Sequence, residues 1–184
     1  IAEDLTLGGN FQADRDTALG AIQGLWGSPI GSIGFDVAGS SVSNYGSGYA
    51  VRLTLQRLFR FTQGGGDSFN LSIESRSRNF GPMGTLVPSN IYTYEVGAAY
   101  THAFSDDLYA GVDAHFSKGR DGETNIGIYR INADYRLTPD LGLSTSVGYE
   151  DSGIRRGLNA LISLTVRMSP SSAGRAEYDT AEDR

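Results

Sequence analysis

The sequence predicts an all-β chain: an antiparallel transmembrane β-barrel segment of about 10–11 strands. Three observations predict it. Apolar and polar residues alternate with period two along most of the chain, and no helical period competes. The alternating runs approach the ~9–11 residues of a tilted membrane strand and exceed the ~5–6 residues usual in soluble sheets. Turn chemistry separates the runs at nearly even intervals.

Taken in order, the first half alternates less regularly. Leu5, Leu7 and Phe11 oppose Thr6, Asn10 and Gln12. The run 17–27 is ambiguous in phase, because Ile22 and Trp26 oppose Leu19 and Leu25. Ile33, Phe35 and Val37 then oppose Asp36 and Ser40, and Tyr49, Val51, Leu53 and Leu55 oppose Arg52, Thr54 and Gln56. Phe69, Leu71 and Ile73 oppose Asn70, Ser72, Glu74 and Arg76. The second half is regular. Tyr92 to Phe104, Leu108 to Ser117, Tyr129 to Leu137, Leu141 to Glu150 and Leu158 to Met168 each divide into one apolar and one polar face. Breaks fall at Ser28-Pro29, Asn44-Tyr45-Gly46, Gly64 to Asp67, Ser105 to Asp107, Arg120-Asp121-Gly122, Thr138-Pro139-Asp140, Ser152-Gly153 and Pro170 to Ser172. One connection is long, Gly81 to Ile91. Placing it outside the cell puts the tight breaks at Ser105 to Asp107 and Thr138 to Asp140 on the periplasmic side.

The polar face carries the expected lumen lining: Asp36, Arg52, Glu74, Arg76, Arg78, Glu95, Asp113, His115, Arg130, Asp134, Arg136, Glu150 and Arg167. Charges of both signs at this density favour a wide, hydrated lumen over a narrow barrel packed with side chains. Aromatic residues near strand ends, such as Tyr92, Phe104, Tyr135 and Tyr149, suit interfacial girdles. A soluble β-sandwich is the competing architecture, and strand length argues against it.

The 184 residues suit one domain, residues 1–184. The net charge of −6 and the lack of a basic stripe argue against nucleic acid. There is no cysteine, hence no disulfide and no thiolate metal site. No run reaches the ~20 apolar residues of a spanning helix. The chain begins Ile1-Ala2-Glu3-Asp4 and ends on an acidic stretch without a terminal aromatic, which leads to the expectation of an internal fragment, an arc of a larger barrel.

Four stretches carry a resemblance: Leu5 to Gln12, Gly31 to Ser40, Gly48 to Leu53 and Leu71 to Phe80. With them the sequence resembles the barrel of a fimbrial outer-membrane usher of the chaperone–usher pathway. The resemblance implies an integral outer-membrane pore that passes and helps assemble pilus subunits, with the lipid bilayer, those subunits and a periplasmic chaperone as partners of the full-length parent. It also implies that the plug, the periplasmic N-terminal domain and the C-terminal domains lie outside this segment. Glu74-Ser75-Arg76 departs from the family's tyrosine-rich version. The alternative is a small self-contained outer-membrane barrel, either a lipid-acting enzyme or a structural, porin-like protein.

Other chemistry is sparse. His115 and Ser117 share a face, in the spacing of outer-membrane lipid A deacylases, but that face is the polar one, and an enzyme acting on lipid needs the pair on the other. His102 falls on an apolar face near a strand end, an interfacial position. The Gly64-Gly65-Gly66-Asp67 run lacks the helix and Lys-Ser/Thr of a phosphate loop. The acidic groups at Asp106-Asp107 and Glu177 to Asp183 read as solvated turn and edge charge. The reading is non-enzymatic, without cofactor or metal.

Overall fold

The computed structural model describes residues 4–60, 65–85, 87–153, 155–169 and 172–180. Within them the chain folds into eleven strands: β1 (Leu5–Ala13), β2 (Thr17–Ser28), β3 (Gly31–Val42), β4 (Gly46–Arg60), β5 (Gly66–Arg76), β6 (Tyr92–Ala103), β7 (Leu108–Gly119), β8 (Ile126–Thr138), β9 (Leu141–Asp151), β10 (Arg156–Ser169) and β11 (Ser172–Asp179). They form one antiparallel sheet in sequence order, each strand beside its neighbours in the chain, and there is no helix among the described residues. The expected breaks at Gly64 and at Pro170-Ser171, with both chain ends, lie outside the described residues. Gly66 and Asp67, expected in a turn, open β5, and Glu177 in the acidic stretch belongs to β11.

Local chemistry sets the turns. Asn44 (φ 68°) and Gly46 (φ 85°) take the left-handed conformation between β3 and β4, and the Tyr45 N–H donates to Val42 O at 3.1 Å. Asp121 (φ 52°) and Gly122 (φ 94°) do the same between β7 and β8.

Cross-strand pairing fixes the faces. Leu5 lies opposite Trp26, Trp26 opposite Ile33, and Ile33 opposite Leu55. Ile22 likewise joins Gly9 and Val37. The phase of β2 is thereby settled: Ile22 and Trp26 join the apolar face, and Leu19 and Leu25 take the polar one. In β8 to β10, Ile131 pairs with Val147 and Tyr129 with Tyr149, which in turn faces Leu158.

That apolar face is uncovered. Val42 is the one buried hydrophobic residue among those described, whereas Phe11 is 74% exposed, Leu158 75% and Ile131 62%. A soluble sandwich would bury this face against a second layer ~10 Å away. An exposed apolar band of this extent is the surface a β-barrel turns to lipid, where strand pairing satisfies the backbone polar groups that hydrocarbon cannot.

Contacts divide the chain into two compact units. One comprises Ile1–Arg57, Asn70–Gly97 and Phe116–Asn125; the other comprises Leu58–Phe69, Ala98–His115 and Ile126–Arg184. The first holds β1 to β3, most of β4 and the connection 77–91. The second holds β8 to β11.

Candidate functional site

The site is the polar face of the first unit, where the connection 77–91 lies on the wall of β3 and β4. The wall is a sequence of cross-strand pairs. Asp36 stands opposite Arg52, then Ala38 opposite Ala50, then Ser40 opposite Gly48. From Arg52 an ionic ladder continues across the neighbouring strands. Arg52 donates to Glu74 Oε2 from Nε at 2.8 Å and from Nη2 at 2.5 Å. Arg76 donates to Glu74 Oε1, and its Nη2 lies 3.9 Å from Glu95 Oε2. Ser117, on β7, is 1% exposed and donates to Glu95 Oε1 at 3.2 Å. Acidic and basic groups alternate along this path from β3 to β6. Alternation lets each charge keep a partner in a setting that is wet on one side only.

The connection 77–91 is fastened at several points. The Ser77 N–H donates to Tyr49 O, and the Tyr49 N–H donates to Ser77 Oγ, both at 2.8 Å. The Gly81 N–H donates to the buried Ser40 Oγ at 2.9 Å. Asn90 Nδ2 donates to the carbonyls of Ser77, Arg78 and Phe80, at 3.1, 3.2 and 2.6 Å. Arg120, in the turn after β7, closes the arrangement. Its backbone N–H donates to Ile91 O at 2.8 Å, its Nε to Asn90 O at 3.2 Å, and its Nη2 to Tyr92 O at 3.1 Å and to Arg76 O. Arg78 pairs with Asp121 beside it. Gly48 makes the seat possible, since a Cβ there would lie 2.2 Å from Phe80 N.

The second unit arranges its charges differently. Arg130 Nη1 lies 4.0 Å from Asp113 Oδ1. Asp134 accepts from Ser144 Oγ at 2.5 Å. Arg136 donates from Nε to Asp107 Oδ1 at 2.6 Å, in the turn before β7, and Arg175 Nη2 sits 2.8 Å from Glu177 Oε2 in β11. Glu150 lies opposite Gly157, on the same face as Arg130, and Arg167 shares a recess with Asp134 and Arg136. His115, two residues from Asp113 and from Ser117, belongs to that face by alternation. On the apolar face near the strand ends, His102 Nδ1 lies 2.5 Å from Asp67 Oδ1, and its ring meets Phe104 edge-on at 4.3 Å.

The structure therefore brings Asp36, Arg52, Glu74, Arg76 and Glu95 together. Arg78 is set apart on the connection, past the end of β5. Asn90, Arg120, Asp107 and Asp121 were not found by reading alternation, because connections have no period to read. Arg120 sits in a turn signature that marked the break but not what its side chain would hold.

No family model and no curated protein matches this chain. Among solved structures it is similar to one described as "KdgM porin in complex with disordered oligogalacturonate", at 10% sequence identity and a TM-score of 0.42, over 96% of this chain and 90% of that one.

The resemblance to a fimbrial usher is not upheld: the chain is similar instead to a solved porin, and its eleven strands form a single sheet in sequence order. The pilus-assembly role rested on that resemblance and is not supported. The physical reason lies in the motifs. Leu5 to Gln12, Gly31 to Ser40, Gly48 to Leu53 and the first part of the fourth stretch, Leu71 to Arg76, lie in strands of alternating polarity, and the pleat imposes that pattern on any membrane strand. The chain is an all-β, integral outer-membrane protein: its sheet leaves leucine, isoleucine and phenylalanine bare on one face and carries most of its charges on the other.

Proposed function

We propose that this chain builds the wall of a small, porin-like pore that lets hydrophilic solutes diffuse across the outer membrane without chemistry. The observation that carries this reading is the ladder from Asp36 to Glu95, a band of alternating charge on the face opposite the exposed apolar one. Charged groups at that density need water beside them. With lipid on the other face, that water is in a lumen. The connection 77–91, fastened on the polar face, narrows the passage along the β3–β4 wall. The reading of a lipid-acting enzyme finds less support. Its serine, Ser117, is buried and donates to Glu95, on the face away from lipid.

The test is electrical. The purified chain, refolded in detergent and added to a planar lipid bilayer, is expected to give stepwise ohmic conductance that persists at low voltage. Bilayers left silent by folded, inserted protein would defeat the proposal.

A further inference from the structure

The recess between the 77–91 connection and the β3–β4 wall has a volume of about 400 Å³, within the range of small-molecule sites. Its floor is the Ala38–Ala50 pair, the two smallest facing residues on this stretch apart from the Ser40–Gly48 seat. Along one side stand Asp36 and Arg52 with Glu74 and Arg76. Phe80 and Pro82 of the connection supply an apolar ledge. Val51 and Asn90 also line it.

We infer that this recess binds a neutral, polyhydroxylated solute, a sugar ring or a short neutral oligosaccharide, as it passes. The inference rests on the pore reading and adds a substrate class to it. The charges decide the class. The rim holds two carboxylates and two guanidiniums, Asp36 and Glu74 against Arg52 and Arg76, so its formal charge is zero. Glu74 already holds both arginines, at 2.5 Å in the case of Arg52. An anion drawn to either arginine would meet the carboxylate beside it, and a cation the reverse. A hydroxyl has no such conflict. It donates to carboxylate lone pairs the ion pairs leave open and accepts from guanidinium N–H groups. The C–H face of a sugar ring then covers the Phe80–Pro82 ledge, and the alanine floor leaves it room.

The test measures binding and conduction separately. Saturation-transfer NMR on the full chain in detergent micelles, titrated with maltose, is expected to show saturable binding, with digalacturonate weaker. Phe80→Ala is expected to weaken maltose by about tenfold, the worth of one aromatic contact. Because Phe80 also lies in the fastened connection, Ala50→Leu is the second variant: it fills the floor and is expected to abolish binding while the strands stay folded by circular dichroism. Absence of saturable maltose binding, tighter binding of digalacturonate than maltose, or full binding by folded Ala50→Leu would overturn the inference even if the bilayer conducts. A silent bilayer with intact maltose binding would defeat the pore reading and leave the recess assignment standing.

Discussion

The β3–β4 wall of the first unit and the β8–β11 meander of the second are built from the same alternating pattern, yet they carry different things. On β3 and β4 the polar face is small where the connection lands: Ala38 and Ala50, then Ser40 and Gly48. A chain segment sits there and is held by hydrogen bonds between its backbone and the side chains of Ser40, Asn90 and Arg120, and by the backbone bond from Ser77 to Tyr49. On β8 to β10 the polar positions hold larger groups, Arg130, Asn132, Asp134 and Arg136 facing Gly148, Ser146, Ser144 and Gly142. There the side chains themselves occupy the space, and their ion pairs are short-range and exposed. Arg136 and Asp107 are each about half exposed. The difference teaches that residue size on the polar face decides whether a strand pair lines water or seats another segment. Charge is common to both.

Four substitutions and one control break or sharpen that contrast. The largest effect is expected on the apolar face. Ile131→Arg puts a guanidinium on the apolar face of β8 and should cost about 2–4 kcal/mol near the membrane midplane, read by urea unfolding in lipid vesicles. An unchanged midpoint would mean that this face does not meet hydrocarbon.

Gly48→Ala comes next. Its methyl group would collide with the backbone of Phe80, so either the connection lifts or the wall shifts, at about 1–3 kcal/mol. Limited trypsin digestion should then cut at Arg78 faster than in the parent. The matching control in the second unit is Gly142→Ala, which has nothing within 4 Å of its Cβ and should leave digestion unchanged.

Arg120→Ala removes the donors to Asn90 O, Tyr92 O and Arg76 O. The expected loss is about 1–3 kcal/mol, with larger current fluctuations in the bilayer as the connection loosens. A quiet channel with parental conductance would show that Asn90 and Ser40 hold the segment by themselves.

Arg136→Ala should matter least. Its partner Asp107 is exposed, so the pair is worth about 0–1 kcal/mol and less at high salt. A loss equal to that of Arg120→Ala would erase the proposed distinction between a fastening arginine and a surface one.

Much of the fold was legible. A side-chain period of two is a direct consequence of the pleat, so runs such as Tyr92 to Phe104 declared both their strand and its faces. Turn residues marked most of the ends. The phase of β2 was not legible, because Leu19 and Leu25 are as apolar as Ile22 and Trp26; pairing with Leu5 and Ile33 chose between them. The site was half legible. Asp36, Arg52, Glu74, Arg76 and Glu95 could be placed on one face, but nothing in alternation says which charge meets which across strands, since that depends on register and stagger. Asn90 and Arg120 were out of reach, because their partners are carbonyls 10 to 44 residues away in the chain.

The family resemblance failed for a related reason: membrane strands look alike because the pleat and the bilayer impose the same alternation on all of them. By itself the sequence determined an all-β chain of long strands with one apolar and one charged face, since those follow from local geometry and solvent. Only the tertiary structure decided that 77–91 settles over Ser40 and Gly48, and that a recess with balanced charge is left beside it. Both depend on register, which brings distant residues to one spot and which no local pattern encodes.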